Sequence, residues 1–187
     1  DSSTLTIDGA TISGHKGYTA IYLYSSTFTM KNGTIKNNSS TYEGGAIESY
    51  KSVIKMTGGE ISNNTSSQGG GIYIDCSTHY IALQSPSVDL YPGTGNALEM
   101  TGGKITGNSA DDGGGIMVYG SSSDPCQIKI DGGEILNNSA RSFGCGIDIT
   151  TSGIVNISGG NIADNTAVRN GKGIYVTKGT TLNLSSD

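Results

Sequence analysis

The residues of this chain that could do chemistry are its carboxylates, its two histidines and its three cysteines. Hydrolysis of a glycosidic bond needs a pair of neighbouring carboxyl groups, and a polysaccharide lyase needs a cation held by carboxylates together with a base. His15 and His79 have no sequence neighbour at the spacing of a metal site or an activated nucleophile. We therefore identify no catalytic residue, no metal site and no cofactor in the sequence.

Tyrosine is the residue type that favours a binding role. In short alternating stretches the chain places aromatic rings beside carboxylates, a combination suited to sugar recognition or to a tyrosine-rich protein interface. The predicted ligand-binding residues are Tyr22, Tyr24, Tyr50, Tyr73 and Tyr119, joined by His79, Tyr80 and Tyr91 from a nearby insertion. The competing interpretation is that tyrosine is a good strand residue and has no partner here.

The elements that position these residues follow from a repeat. Its pattern is aliphatic-x-Gly-Gly-x-Ile-x-x-Asn, then a polar turn, then Gly-Gly-Ile, with small variations between copies. The five copies run from Met30 to Ile47, Met56 to Ile72, Met100 to Ile116, Ile130 to Ile147 and Ile157 to Ile174. A period of this length is typical of solenoids, propellers or arrays.

Each repeat contains three short apolar segments, of which the first and third alternate and the second centres on one Ile. Alternation with a period of two predicts strands with one buried face, and no segment has helical periodicity. The sequence therefore predicts an all-β fold, a right-handed parallel β-helix (solenoid) of about seven rungs with three short strands each. The rungs begin near Leu5, Phe28, Ile54, Leu98, Ile128, Val155 and Leu182.

The repeated glycines and asparagines have structural roles in this interpretation. Glycine pairs such as Gly102-Gly103 join the first segment to the second, where a sharp corner needs unusual backbone angles. The repeated asparagine follows the middle Ile by three residues, and stacked asparagines can hydrogen-bond along a ladder. The predicted ladder consists of Asn38, Asn64, Asn108, Asn138 and Asn165.

The period is interrupted at residues 75–97, where a long insertion follows the third segment of one rung. Insertions in solenoids map to surface loops, often on the binding face. We expect residues 1–187 to form a single β-helix domain, a fragment of a larger surface protein, with this inserted loop.

The cysteines leave two alternatives open. An odd count allows at most one internal disulfide, and a bridge between Cys76 and Cys126 fits their matching places in successive rungs. The other alternative is that all three are free, partly buried thiols.

Charge and hydropathy exclude two classes of partner. The net charge is −5 and the only arginines are Arg141 and Arg169, so no basic stripe is available for nucleic acid. No run of about 18 apolar residues occurs, so we expect no membrane insertion by this fragment.

The outward charges of the first segments bear on whether the chain is an enzyme. Lys55, Glu99 and Lys129 fall on successive rungs and form an alternating ladder of opposite charge, which is usual for neighbouring strands. Asp8 and Asp131 lie several rungs apart. The acidic pair that catalysis requires is therefore missing from these columns.

The motifs resemble those of a known family. Gly44-Gly45-Ala46-Ile47 is similar to the repeated Gly-Gly-Ala-Ile tetrapeptide of the chlamydial polymorphic outer-membrane proteins. Ile61 to Asn64 and Ile162 to Asn165 resemble their Phe-x-x-Asn tetrapeptide with Ile in place of Phe. Bacterial and archaeal adhesin-like proteins with right-handed β-helix repeats form the wider group. The resemblance implies a β-helix, display at the cell surface, and adhesion.

Three functional hypotheses follow. The first is an extracellular, cell-surface, adhesin-like module that acts as a rigid stalk and binds a glycan or a surface protein of a host or neighbouring cell. The second is a carbohydrate-active β-helix enzyme of the polysaccharide lyase or hydrolase type, or its non-catalytic remnant. Ice binding is a minor third, because the outward columns mix Lys, Glu, Asp and Tyr with Thr rather than presenting a flat threonine array.

Overall fold

The computed structural model describes residues 3–77, 97–121, 125–150 and 152–185. Within them the chain is an all-β parallel β-helix, as predicted, because equivalent strands of successive turns pair in parallel throughout. The first strand of each turn belongs to one sheet, here called the first sheet, which includes strands from seven successive turns. The last strand of each turn belongs to another, here called the third sheet, which has six strands. The described chain therefore completes six turns and begins a seventh. No helix in the described part of the chain is long and apolar enough to span a membrane.

The strands are named here in chain order. They are β1 (Thr4–Ser13), β2 (Lys16–Gly17), β3 (Ile21–Tyr24), β4 (Thr27–Lys36), β5 (Ser39–Ser40), β6 (Ile47–Tyr50), β7 (Val53–Met56), β8 (Glu60–Ser62), β9 (Ile72–Asp75), β10 (Leu98–Thr106), β11 (Ser109–Ala110), β12 (Ile116–Tyr119), β13 (Cys126–Leu136), β14 (Ser139–Ala140), β15 (Ile147–Ile149), β16 (Gly153–Ala163), β17 (Thr166–Ala167), β18 (Ile174–Val176) and β19 (Thr181–Leu184).

The glycine corner bends a strand rather than ending it, which differs from the prediction of separate first and second strands. In β1, β4, β10, β13 and β16 the two segments form one continuous strand, and only β7 and β8 are separate. The pairing register shifts at the corner, as between Met100 and Lys104. Gly103 has a φ of +84°, and a Cβ on Gly102 would lie 2.5 Å from the Thr57 carbonyl oxygen. Glycine is therefore required both for the bend and for the close approach of the preceding turn.

The structure also contains short strands that the sequence pattern did not predict. One follows His15, and the others follow Asn38, Asn108, Asn138 and Asn165 of the ladder. These two-residue strands pair as β2 with β5, and as β11 with β14 and β17. Two residues are too few to give a period, so hydrophobic alternation could not identify them.

The core is a set of aliphatic columns inside the coil. The middle isoleucines Ile35, Ile61, Ile105 and Ile135 are at most 1% exposed. Burial of each such side chain contributes about 2–3 kcal/mol. Isoleucine recurs at this position in successive turns, so the middle isoleucines stack on one another along the axis.

The repeated asparagines form a hydrogen-bonded ladder beside this core. Asn64 Nδ2 donates to Asn108 Oδ1 at 2.9 Å and to the carbonyl oxygen of Ile35 at 3.0 Å. The backbone N–H of Asn64 donates to the same Asn108 Oδ1 at 2.9 Å. The same bonds recur from Asn38 through Asn165, and the first turn joins through the backbone N–H of His15. Each buried amide thus ties its own turn to both neighbouring turns.

We predict that Asn108→Ala destabilises the protein by about 3 kcal/mol, because it leaves buried donors and acceptors on both neighbouring turns without partners. For a chain of this size that loss lowers the melting temperature by roughly 6–12 °C. The matched control is Asn183→Ala, which removes an exposed amide bonded to Asn156 Oδ1 at 2.8 Å and should change stability by less than about 0.5 kcal/mol. Equal melting temperatures for the two variants would disprove a stabilising ladder.

Candidate functional site

The predicted tyrosines lie on the outer side of the third sheet, over β3, β6 and β9. We call this surface the tyrosine face, and it comprises Tyr22, Tyr24, Glu48, Tyr50, Tyr73 and Asp75. Tyr22 pairs in register with Glu48 and Glu48 with Tyr73, as the alternation predicted. The ring centroids of Tyr22 and Tyr50 are 5.7 Å apart, and those of Tyr50 and Tyr73 are 6.3 Å apart. Tyr22 and Tyr73 share one column and Tyr50 lies in the next, so the three rings form a zigzag row across three turns.

Exposure divides the predicted residues into two groups. Tyr22 and Tyr24 are 55% and 50% exposed, and Tyr50 is half-buried between its neighbours. Tyr73 is only 6% exposed, so its ring supports Tyr50 and offers no surface of its own. Tyr119 is partly buried at the end of β12. The accessible part of the face thus lies on the first two turns.

Three predicted residues, His79, Tyr80 and Tyr91, lie outside the described residues. The sequence prediction that places them in the binding site therefore stays a prediction.

Carboxylates surround the exposed rings. Burial raises the pKa of Tyr50, and Glu48, Glu43 and Asp75 add to the effect. Burial also raises the pKa of Glu48, and the charge of Glu43 raises it further. Sequence reasoning missed Glu43 because it lies in the corner before β6 rather than in an alternating segment. Its bridge to Gln68 aligns that corner with the next turn and holds Glu43 beside the face.

A disulfide links two successive turns of the coil. Cys76 and Cys126, whose Cα atoms are 5.5 Å apart, form a disulfide, and Cys145 is a free, buried thiol. Cys76 directly follows β9, and its backbone N–H donates to the Tyr119 carbonyl oxygen at 2.9 Å. The disulfide therefore ties the end of β9 to the start of β13 in the following turn, at the edge of the tyrosine face, while most of the predicted inserted loop at 75–97 lies outside the described residues.

A groove that sequence reasoning missed runs along the bend of the first sheet. Its volume is about 750 Å³. Its floor is formed by the corner glycines of successive turns, including Gly59, Gly103 and Gly133. Its signal in the sequence is the glycine column itself: corners without side chains in successive turns leave a channel parallel to the axis. The polar side chains at its margin include Glu60, Lys104 and Glu134.

The charges in the groove do not form an acid–base pair. Lys104 lies in register between Glu60 and Glu134, and its Nζ is 2.7 Å from Glu134 Oε2. The hydrogen bond to Glu134 raises the pKa of Lys104, so this lysine stays protonated and is unsuited to act as a base. The two carboxylates lie two turns apart, with the protonated Lys104 on the turn between them. The groove therefore has a shape suited to a polymer but lacks a catalytic pair.

One carboxylate of the outer column is buried without a partner. Asp148 is fully buried in β15 between Met117 and Tyr175, and neither of its carboxylate oxygens has a hydrogen-bond partner. A side chain at Gly144 would overlap its Cβ, so the preceding corner closes over it. Burial, and to a smaller extent the charge of Asp112, raises the pKa of Asp148 to about 7. Asp148 is therefore protonated in acid and becomes charged near neutral pH.

This burial predicts a pH-dependent stability. Because the folded pKa of Asp148 lies above the unfolded value of about 3.9, its contribution is fully present below pH ~4 and is lost as the pH rises through 7. We expect Asp148→Asn to have the melting temperature of the parent at about pH 3.5 and to exceed it increasingly as the pH rises, with a difference at pH 8 of up to about 4 kcal/mol in stability. The control Asp8→Asn replaces an exposed aspartate of the first sheet and should follow the parent at both pH values. Parallel curves for Asp148→Asn and the parent would contradict the burial of a titrating carboxyl.

Within the described residues, no group of three His, Cys, Asp or Glu side chains is placed to hold a metal ion. Comparison with known proteins finds a family model, described as right-handed beta helix region, that matches residues 1–187. Neither the curated proteins nor the solved structures include a significant match to the chain.

Proposed function

Since the chain belongs to the right-handed β-helix family, we propose that it is an adhesin-like module displayed outside the cell, with the tyrosine face as its recognition surface. The observation that carries the proposal is the row of rings formed by Tyr22, Tyr50 and Tyr73, exposed at one end and buried at the other. The coil serves as the rigid support that holds this row in place.

Preorganisation makes such a face suitable for binding. Ordering flexible side chains on association costs about 0.5–1.5 kcal/mol each. Here the rings of Tyr22 and Tyr73 already contact the ring of Tyr50, and the strand beneath it is paired on both sides. Less of the interaction energy is therefore lost in ordering the surface, and tyrosine supplies a large apolar area with a polar end.

Two further observations support display outside the cell. The Cys76–Cys126 disulfide is typical of oxidising compartments, where such bonds form and persist. The Gly-Gly-Ala-Ile and aliphatic-x-x-Asn motifs resemble those of chlamydial polymorphic outer-membrane proteins and of adhesin-like β-helix proteins. Both point to a surface protein of a bacterial type.

The other hypotheses have weaker support. A carbohydrate-active enzyme could use the glycine-floored groove, but the protonated Lys104 between Glu60 and Glu134 disfavours acid–base chemistry there. Ice binding requires a regular threonine surface. The outer column of the third sheet instead mixes tyrosine, glutamate, methionine and aspartate.

The proposal is tested by binding to an array that contains oligosaccharides and immobilised extracellular proteins. We expect the parent to bind at least one member, and the double variant Tyr22→Ala/Tyr50→Ala to bind it at least about tenfold more weakly, a loss of about 1.4 kcal/mol. The control Leu184→Ala removes an exposed apolar side chain at the other end of the coil and should bind normally. Absence of any binding, or binding that both variants retain, would refute the tyrosine face as a recognition surface.

A further inference from the structure

The carboxylates on and beside the tyrosine face have no ion-pair partner within the described residues. The ion pairs in that part of the chain join Lys55 to Glu99, Lys104 to Glu134, Lys129 to Asp131 and Arg141 to Asp111. None of them includes Glu43, Glu48 or Asp75. The basic residues in these pairs lie on the first sheet or on the corner after the ladder. Lys51 follows Tyr50 in the chain, but none of these ion pairs includes it.

The effect of this charge is visible on the groups it surrounds. Glu43 disfavours ionisation of Glu48, and Glu43, Glu48 and Asp75 each disfavour ionisation of Tyr50. Like charges held beside one another on a rigid sheet repel, and the repulsion is relieved when a cation binds between them.

A second aromatic pair borders the same acidic residue. The rings of Tyr18 and Tyr42 are stacked with centroids 5.7 Å apart, and these side chains are 72% and 55% exposed. Glu43 directly follows Tyr42 in the chain. A second aromatic pair, exposed on the first two turns, therefore lies next to Glu43 in the chain, in addition to the pair of Tyr22 and Tyr50 on the strands.

We propose that the tyrosine face binds a protein segment that carries arginine or lysine side chains. This inference rests on the proposed function and specifies the chemistry of the partner. A guanidinium group can stack on a tyrosine ring while its N–H groups donate to a neighbouring carboxylate, and the face offers both at Tyr22, Glu48 and Tyr50. Consecutive turns are about 4.8 Å apart, so an extended basic segment along the axis meets a new ring or carboxylate at each turn.

Charge separates this partner from the other candidates. An anionic glycan would be repelled by Glu43, Glu48 and Asp75. A neutral glycan could stack on the rings, but it would cover Glu43 and Glu48 without supplying a counter-charge, at the cost of their desolvation. A cationic peptide uses the rings and the carboxylates together.

The test measures the affinity of an acetylated and amidated deca-arginine peptide by calorimetry, with tyrosine fluorescence as a second readout because the chain has no tryptophan. We expect binding that weakens as salt is raised, and a deca-lysine peptide that binds less tightly because an ammonium group cannot stack on a ring. Glu43→Gln/Glu48→Gln should weaken deca-arginine binding by about tenfold.

The matched control is Glu60→Gln/Glu134→Gln, which removes the same number of negative charges from the groove on the first sheet. This variant should bind deca-arginine within about twofold of the parent. Equal losses in the two double variants would show attraction to net charge alone and would overturn the inference.

The outcomes also separate this inference from the proposed function. If deca-arginine does not bind, while a neutral oligosaccharide or protein on the array binds in a manner that needs Tyr22 and Tyr50, the cationic partner is wrong and the recognition surface stands. If nothing binds through Tyr22 and Tyr50, both are wrong. Deca-arginine binding that depends on Glu43, Glu48, Tyr22 and Tyr50 supports both.

Discussion

The structure depends on one constraint, which is that each turn must repeat the previous turn in register around a buried asparagine. The amide of Asn108 bonds both Asn64 and Asn138, so neither turn can slip without leaving a buried amide unpaired. A slip of one residue would also turn every inward side chain outward. Glycine makes room for this ladder: a Cβ at Gly115 would lie 2.6 Å from the Gly146 carbonyl oxygen and 3.1 Å from Asn138 Nδ2. The Gly-Gly-Ile motif is thus the steric complement of the asparagine motif.

The same constraint arranges the candidate site. Once the turns are in register, the outward residues of the third strand must stack in the order that the repeat sets. Tyr22, Glu48 and Tyr73 lie side by side for this reason, and the diagonal contact of Tyr50 with both tyrosines follows from the strand spacing. The residues of the repeat form the corners and the ladder, whereas the outward columns vary from turn to turn. The residues that differ between turns are therefore the ones available to bind a ligand.

Much of this could be predicted from the sequence, because period-two alternation and a fixed repeat determine which residues share a column. The burial of outward residues could not. Asp148 and Tyr73 occupy outward positions but are buried, because the corner before each strand folds against the outer side of that strand. The alternation of residues does not show how closely that corner packs. The groove along the first sheet is likewise a property of backbone without side chains. The Cys76–Cys126 pairing depends on a Cα distance that spacing in sequence leaves undetermined.

Residue-resolved amide hydrogen exchange of the free chain tests the ladder as the central constraint most directly. The backbone N–H groups of Asn64, Asn108 and Asn138 bond the side-chain oxygen of the next asparagine, at 2.9, 3.0 and 2.9 Å. If the ladder holds the turns in register, these amides open only when the whole coil opens, and they should exchange as slowly as the slowest core strand amides. Exchange of the three as fast as that of exposed corner amides would show that the turns separate independently of the ladder, and would contradict the account.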